Sequence, residues 1–232
     1  MAHIDYGRLA IKGVRGRMGD AVFVREANGS YGVRSYTTPR NPRTPAQIAV
    51  RQRFVQATTA FRNLDAAHLA LWEEYAAAHG HTDPDTGQVF TPNPITLFVA
   101  LSTKYLQVNP TGAIPLAPPT EAFAGDTITV SATAGAGQIT FAASGANASG
   151  VETELLLQKL ATPNRRPRPK EYRSADFVTF AGGTSGSTAT VPTAPGYYAA
   201  AYRFVKTATG QDTLPVPIPV TGTVTLELLK AA

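Results

Sequence analysis

The chain has 232 residues, which is enough for one large domain or two small ones, and it contains no cysteine. The absence of cysteine excludes disulfides, thiolate catalysis, iron–sulfur clusters and cysteine-bound zinc. The net charge of +5 is uneven, because residues 1–62 hold eleven basic and three acidic residues while the remainder is net negative. A basic front and a mildly acidic remainder indicate binding to nucleic acid or head-to-tail docking on a second copy.

Residues 1–43 are predicted to form β-strands followed by an extended arm. Two runs of alternating residues flank Asn28-Gly29, a dipeptide typical of tight hairpin turns. Before them, GVRGRMG spaces three glycines three residues apart, but it lacks the G-K-[ST] ending of a phosphate-binding loop. We therefore predict a bent strand at this position, where glycine permits close backbone approach.

The stretch TTPRNPRTPAQIAVRQRF, residues 37–54, is predicted to contain the arm and the start of the following helix. Its prolines disfavour helical backbone at the preceding residues, so the arm should stay extended. We expect its arginines to pair with carboxylates of a neighbouring subunit and the strands before it to add to a neighbour's sheet. The residues predicted at this subunit interface are Val22, Val24, Tyr31, Val33, Arg34, Arg40, Arg43, Gln47 and Arg51.

Residues 44–108 are predicted to form three short helices. Thr44 followed by proline is a capping signal for the first, Asp65 opens the second before Gly80 ends it, and Asn93 opens the third. Apolar residues recur at helical spacing, and we expect them to bury one another, with a partner protein as the alternative. These stripes are Val50, Phe54, Phe61 and Leu64; Leu69, Trp72 and Ala76; and Ile95, Phe98, Leu101 and Tyr105.

A proline-rich linker is predicted at residues 109–119, and residues 120–232 contain seven short strand-like runs separated by turn residues. Their number and spacing favour a β-sandwich of the immunoglobulin or fibronectin type III kind. The run GYYAAAYRFV places Tyr198, Ala200, Tyr202 and Phe204 on one side of a strand. The predicted fold class is therefore α+β, with N-terminal strands, a three-helix segment and a C-terminal all-β sandwich.

No residue cluster points to catalysis, a metal or a cofactor, and we predict that the chain is not an enzyme. Glu73 and Glu74 are adjacent, so on a helix they diverge and cannot face one substrate. His79, His81, Asp83 and Asp85 are spaced more like a turn than like a metal site. The remaining candidates are a basic loop at residues 163–173, which could meet phosphates or an acidic neighbour, and a glycan platform of Tyr172, Tyr197 and Tyr198.

Residues 13–75 are similar to small proteins of phage structural gene clusters and related bacterial genomes. The resemblance rests on GVRGRMGDAVF, VRSYTTPRNPRTPAQ, VRQRF and ALWEEYA, in that order. It implies a virion or filament subunit, and some such proteins append an immunoglobulin-like domain. It implies no catalytic residues.

The expected function is therefore a non-enzymatic structural subunit of a self-assembling phage particle, in the tail, connector or head decoration, with copies of itself and other virion proteins as partners. The alternatives are a bacterial surface filament assembled by strand exchange and a basic nucleic-acid-binding protein. Residues 1–20 contain no continuous apolar run, which predicts synthesis in the cytoplasm without a signal peptide and a location in the virion, or in an extracellular filament after release.

Overall fold

The computed structural model describes residues 3–6, 11–25, 31–38, 41–82, 89–182 and 188–221. The chain divides into two compact units, Met1–Ile48 and Ala49–Ala232. The predicted mixture of helices and antiparallel sheets is confirmed. The division into units differs from the predicted four segments, because the helices and the C-terminal strands belong to one unit.

The first unit contains a four-stranded antiparallel sheet whose strands lie in chain order. The strands are β1 (His3–Tyr6), β2 (Ile11–Met18), β3 (Ala21–Arg25) and β4 (Tyr31–Ser35). The glycine-rich stretch is strand β2 and the turn after it, where Gly19 has a φ of +57°. β3 and β4 pair from Arg25↔Tyr31 to Ala21↔Ser35, so the two predicted runs do pair; the Asn28-Gly29 turn itself lies outside the described residues.

Three helices begin where the sequence predicts. They are α1 (Pro45–Arg62), α2 (Ala66–Ala78) and α3 (Pro94–Val108). Each start is capped by a side-chain oxygen that accepts a backbone N–H of the first turn. The accepting residues are Thr44, at 3.3 Å from Gln47 N, Asp65, at 2.8 Å from His68 N, and Asn93, at 3.1 Å from Ile95 N. A two-stranded ribbon of β5 (His81–Thr82) and β6 (Val89–Phe90) lies between α2 and α3.

An aromatic cluster joins the helices. The ring of Phe98 on α3 lies edge-on to Phe61 of α1, with centroids 5.4 Å apart, and to Trp72 of α2, at 5.1 Å. Phe98, Trp72 and the neighbouring Ala57 and Ala76 are fully or almost fully buried. The predicted apolar stripes therefore do form a core where these aromatic residues meet. The edge-on ring contacts stabilise it beyond the burial of apolar area.

In the rest of the second unit the described strands form two four-stranded sheets. Their orders are β10-β9-β12-β13 and β11-β8-β7-β14, antiparallel except where β14 pairs with β7. The strands are β7 (Val130–Gly135), β8 (Gln138–Ala143), β9 (Val151–Leu160), β10 (Arg173–Val178), β11 (Thr188–Pro192), β12 (Tyr197–Lys206), β13 (Val216–Ile218) and β14 (Val220–Thr221).

Both sheets contribute to one hydrophobic core. Ile139 and Phe141 of β8 lie in it together with Leu155 of β9, and all three are completely buried. Ala200, Tyr202 and Phe204 lie in the same core and Tyr198 packs against it, so the predicted one-sided pattern of β12 is confirmed. The residues between them, Ala199, Ala201 and Val205, are buried as well, which the alternating pattern alone does not explain.

Helix α3 lies against this second side of the sheet. Lys104 of α3 reaches Glu154 on β9, and Asn109 Nδ2 donates to the Thr207 carbonyl 2.8 Å away. The segment predicted as a linker contacts helix α2, because Trp72 Nε1 donates to the carbonyl oxygen of Leu116 at 2.7 Å. Residues 109–119 are therefore a packed connection within one unit.

Candidate subunit interface

The arm before α1 is exposed wherever it is described. Residues 33–38 and 41–48 are exposed, and Arg43 has a φ of +48°, a left-handed conformation that is uncommon for a residue with a side chain. The chain thus turns at Arg43, directly before the helix cap at Thr44. Gln47 lies in the first turn of α1 and donates its backbone N–H to that cap. Arg40 lies outside the described residues.

Strand β4 occupies an edge of its sheet. Tyr36 N donates to Asp20 O at 2.6 Å, so the ladder continues one residue beyond β4. Because hydrogen-bonded and non-hydrogen-bonded pairs alternate, the backbone groups of Val33 and Ser35 point away from β3. An edge with backbone groups directed outward is a template for a further strand.

The strand residues predicted at the interface lie on two faces of this sheet. Val22 pairs with Arg34 and Val24 with Gly32, whereas Val33 pairs with Phe23. Since neighbouring residues of a strand point to opposite faces, Val22 and Arg34 share one face, and Val33 lies on the other. Tyr31 pairs with Arg25, two positions from Val33 along the same strand.

The face with Val22 and Arg34 contains a groove of about 520 Å³. Arg17 forms one side of it and stacks on the Tyr36 ring, with the guanidinium carbon 3.6 Å from the ring centroid. Its Nε also donates to Gly19 O at 2.8 Å, which fixes the side chain. The opposite face carries apolar side chains, and two of them, Val33 and Met18, are mostly exposed.

Helix α1 carries an apolar stripe that is only partly covered. Val50, Phe54, Ala57 and Phe61 follow one another at helical spacing. Ala57 is fully buried, whereas Val50 and Phe54 keep 56% and 54% of their surface exposed. The expectation that this stripe is core is therefore wrong for its first half, because the body of the second unit covers α1 only from about residue 57 onwards.

Helix α2 is apolar on its outer side as well as its inner side. Of its thirteen residues only Trp72 and Ala76 are buried. The exposed residues are Ala66, Ala67, Leu69, Ala70, Leu71, Glu73, Glu74, Ala77 and Ala78. A helix that is apolar all round is normally covered on every side. Two glutamates are the only charged residues on this exposed surface.

A buried ionic cluster lies where α3 meets the sheet. Glu154 Oε2 accepts from Lys104 Nζ at 2.9 Å and from Arg203 Nε at 2.5 Å, and Arg203 also pairs with Asp212 at 2.7 Å. Burial opposes ionisation of Glu154, but the hydrogen bonds and charges of Arg203 and Lys104 outweigh it and lower the pKa of the carboxyl. The four charges balance, and the cluster attaches the helix to the sheet. Its members lie far apart in sequence, so no local pattern indicates it.

The other sequence candidates have local structural roles. Glu73 and Glu74 are exposed, and no group of residues suited to a metal occurs within the described part of the chain; Asp83 and Asp85 lie outside it. His79 Nδ1 contacts the Tyr75 carbonyl at 2.8 Å, which accounts for that histidine as part of the helix end.

The basic loop at residues 163–173 is partly neutralised. Glu171 pairs with Arg168 at 3.3 Å and lies 3.9 Å from Arg165, and Gln158 Nε2 donates to the same carboxylate. Tyr198 donates its hydroxyl to the Ala194 carbonyl, while Tyr197 beside it is partly exposed. These contacts give the loop and Tyr198 structural roles.

Among the helices described, none combines the length and the apolar character needed to cross a membrane. Comparison with known proteins finds no family model, no curated protein and no solved structure that matches this chain.

Proposed function

We propose that this chain is a structural subunit of a self-assembling particle and that it has no enzymatic activity. The observation that carries the proposal is the exposure of large apolar side chains on two helices of an otherwise well-packed unit. Val50 and Phe54 of α1 and Leu71 of α2 are each about half exposed. Contiguous apolar surface of this kind marks sites of protein association.

The N-terminal sheet and arm support the same function. The edge of β4 carries outward-directed backbone groups, and the described residues of the arm after it, 36–38 and 41–44, are exposed. Arg34, Arg43 and Gln47 of the first unit are exposed, and so is Arg51 of the second unit. Arginine forms bidentate pairs with carboxylates, so these side chains suit an acidic neighbouring subunit.

We infer that the particle is a phage virion, with the tail, the connector or a head decoration as the place of the subunit. This part of the proposal is supported by the resemblance of residues 13–75 to proteins of phage structural gene clusters. A bacterial surface filament built by strand exchange is the alternative, and the open edge of β4 is equally suited to it.

The finer fold of the C-terminal strands fits this role. We infer a β-sandwich of the fibronectin type III or immunoglobulin kind for residues 120–232. The strand order supports it: β7, β8 and β11 lie in one sheet, while β10, β9, β12 and β13 lie in the other. This is the distribution expected when the strands of such a domain are taken in chain order, and such domains are common on the surfaces of assemblies.

Negative-stain electron microscopy of the purified chain, at low salt and at about 0.5 M salt, tests the proposal. At the higher concentration the Debye length falls below about 5 Å, so an assembly held by long-range charge alone would dissociate. We expect rings, filaments or regular particles at both salt concentrations. Dispersed monomers at both would refute homomeric assembly, and binding to nucleic acid that weakens steeply with salt would favour the nucleic-acid-binding alternative.

A further inference from the structure

We propose that the open stripe of α1 docks on the outer face of α2 in a second copy of the chain. The open stripe is Val50 and Phe54; the outer face of α2 is Ala67, Leu71, Glu74 and Ala78, which follow one another at helical spacing and are all exposed. This inference rests on the proposed self-assembly and specifies the surfaces that carry it.

The open stripe continues an existing core. Phe61 and Ala57, further along the same stripe, are covered by the body of their own unit, and Phe61 meets the ring of Phe98. Val50 and Phe54 extend the stripe by one more turn beyond that cover. A helix face that is apolar along its length is stabilised when its whole length is packed, so this turn is suited to a helix from another molecule.

The charges around the two surfaces select the partner. Arg51 and Arg53 flank the open stripe on its two sides, since each lies about 60 to 100° around the helix from Val50 and Phe54. No acidic residue occurs in α1, and no basic residue other than histidine occurs in α2. Glu74, on the outer face of α2, makes no salt bridge within the described residues, so its carboxylate is available to a basic neighbour.

Charge also argues against the competing arrangements. Two α1 stripes packed on each other would bring arginines against arginines, and two α2 faces would bring glutamates together. A nucleic acid would meet the arginines but would leave Val50 and Phe54 against a charged backbone. Contact of α1 with α2 of a second copy covers the apolar side chains and brings arginines to a glutamate of opposite charge.

Such a contact joins two different surfaces, so one copy retains an unused outer face of α2 and the other retains an unused open stripe of α1. A contact of this type generates rings when the rotation closes and filaments when it does not. The inference therefore predicts head-to-tail rings or filaments; the smallest ring is a dimer in which α1 of each copy lies on α2 of the other.

Sedimentation velocity of the full chain, over a range of concentrations, tests the inference with two substitutions. Phe54→Gln removes the apolar contact from α1, and Leu71→Gln removes it from α2; glutamine retains good helix propensity. We expect each to weaken self-association by at least about tenfold, as truncation of a buried anchor in an interface does. Val55→Gln is the matched control, because Val55 is exposed but lies about 100° or more around α1 from both stripe residues.

An equimolar mixture of the two variants gives the decisive result. The Phe54→Gln chain retains a competent α2 and the Leu71→Gln chain retains a competent α1, so the mixture should form one-to-one dimers that cannot grow. Normal assembly by both variants would overturn this inference and leave the proposed self-assembly standing, and so would a mixture that stays monomeric. A wild-type chain that is monomeric at every concentration would overturn both proposals.

Discussion

Substitution of Glu154 by glutamine is the sharpest test of how the second unit is held together. The carboxylate is 1% exposed and accepts hydrogen bonds from Lys104 and Arg203. Glutamine has nearly the same shape, but it removes the negative charge and presents an amide whose N–H₂ group cannot accept. Lys104 and Arg203 would then face each other across the contact of α3 with the sheet.

The expected cost follows from the burial of the cluster. Removal of one partner of a buried ion pair costs about 3–5 kcal/mol, because the remaining charge is left uncompensated. Here Asp212 remains 2.7 Å from Arg203 and 3.8 Å from Lys104, so part of the positive charge stays balanced. We therefore expect about 3 kcal/mol. For a domain of this size that lowers the melting temperature by about 6–12 °C.

Thermal unfolding at pH 7, followed by calorimetry, measures this effect. Glu152→Gln is the matched control, because Glu152 lies on the same side of β9 two residues earlier and burial raises the pKa of its carboxyl. Because burial disfavours the charged form of Glu152, the negative charge does not stabilise the fold there, and Glu152→Gln should be neutral or slightly stabilising. If Glu154→Gln costs less than about 1 kcal/mol, or no more than Glu152→Gln, the ionic cluster does not hold α3 on the sheet.

Three further outcomes are expected. Despite the burial of Glu154, the hydrogen bonds and positive charges of its neighbours lower the pKa of its carboxyl in the folded state. The stability that Glu154 contributes is therefore complete above its pKa in the unfolded state and falls as pH drops through its pKa in the folded state. Acid titration of unfolding should show this loss in the wild type and less of it in Glu154→Gln. The substitution Gly210→Ala should cost about 3 kcal/mol in denaturant unfolding, because φ is +73° and a Cβ would clash with the Leu101 carbonyl and lie 2.7 Å from Tyr105 N. The control Gly137→Ala, where φ is +66° and the space around the residue is open, should cost about 1 kcal/mol. Equal costs would contradict the packing of α3 at this turn. Replacement of Arg40, Arg43 and Arg51 by alanine should abolish particles in electron micrographs and leave a folded monomer, and persistence of the particles would show that the arginines do not hold subunits together.

Local signals in the sequence predicted the helix starts and most of the strands, but not the ribbon of β5 and β6 or strand β13. The three helices begin after the predicted caps, since a side-chain oxygen that accepts a backbone N–H stabilises a helix start wherever the helix is placed. Most strands of the C-terminal region lie in the predicted runs, but β13 (Val216–Ile218) does not, and the last predicted run lies largely outside the described residues. The run of residues 197–206 was predicted to bury one side, and Ala200, Tyr202 and Phe204 are in the core.

The candidate interface was predicted only in part. The arm and β4 were identified because prolines and arginines are visible in the sequence. Val50, Phe54 and Leu71 were missed as surface residues because helical periodicity indicates that a stripe is apolar and does not indicate where its cover ends. The sequence does not indicate the outer face of α2 as a docking surface, because α2 is apolar on more than one side and periodicity does not show which side is covered.

The sequence by itself determined the elements, their order and the uneven distribution of charge, because caps, turns and alternation act between residues close together in the chain. Only the tertiary structure decided that α3 lies on the sheet and that residues 109–119 are packed. The reason is physical: Lys104 and Glu154 meet across fifty residues, and Trp72 reaches Leu116 across forty-four. Contacts at such separations depend on how whole elements pack, and that packing also decides which half of α1 stays open.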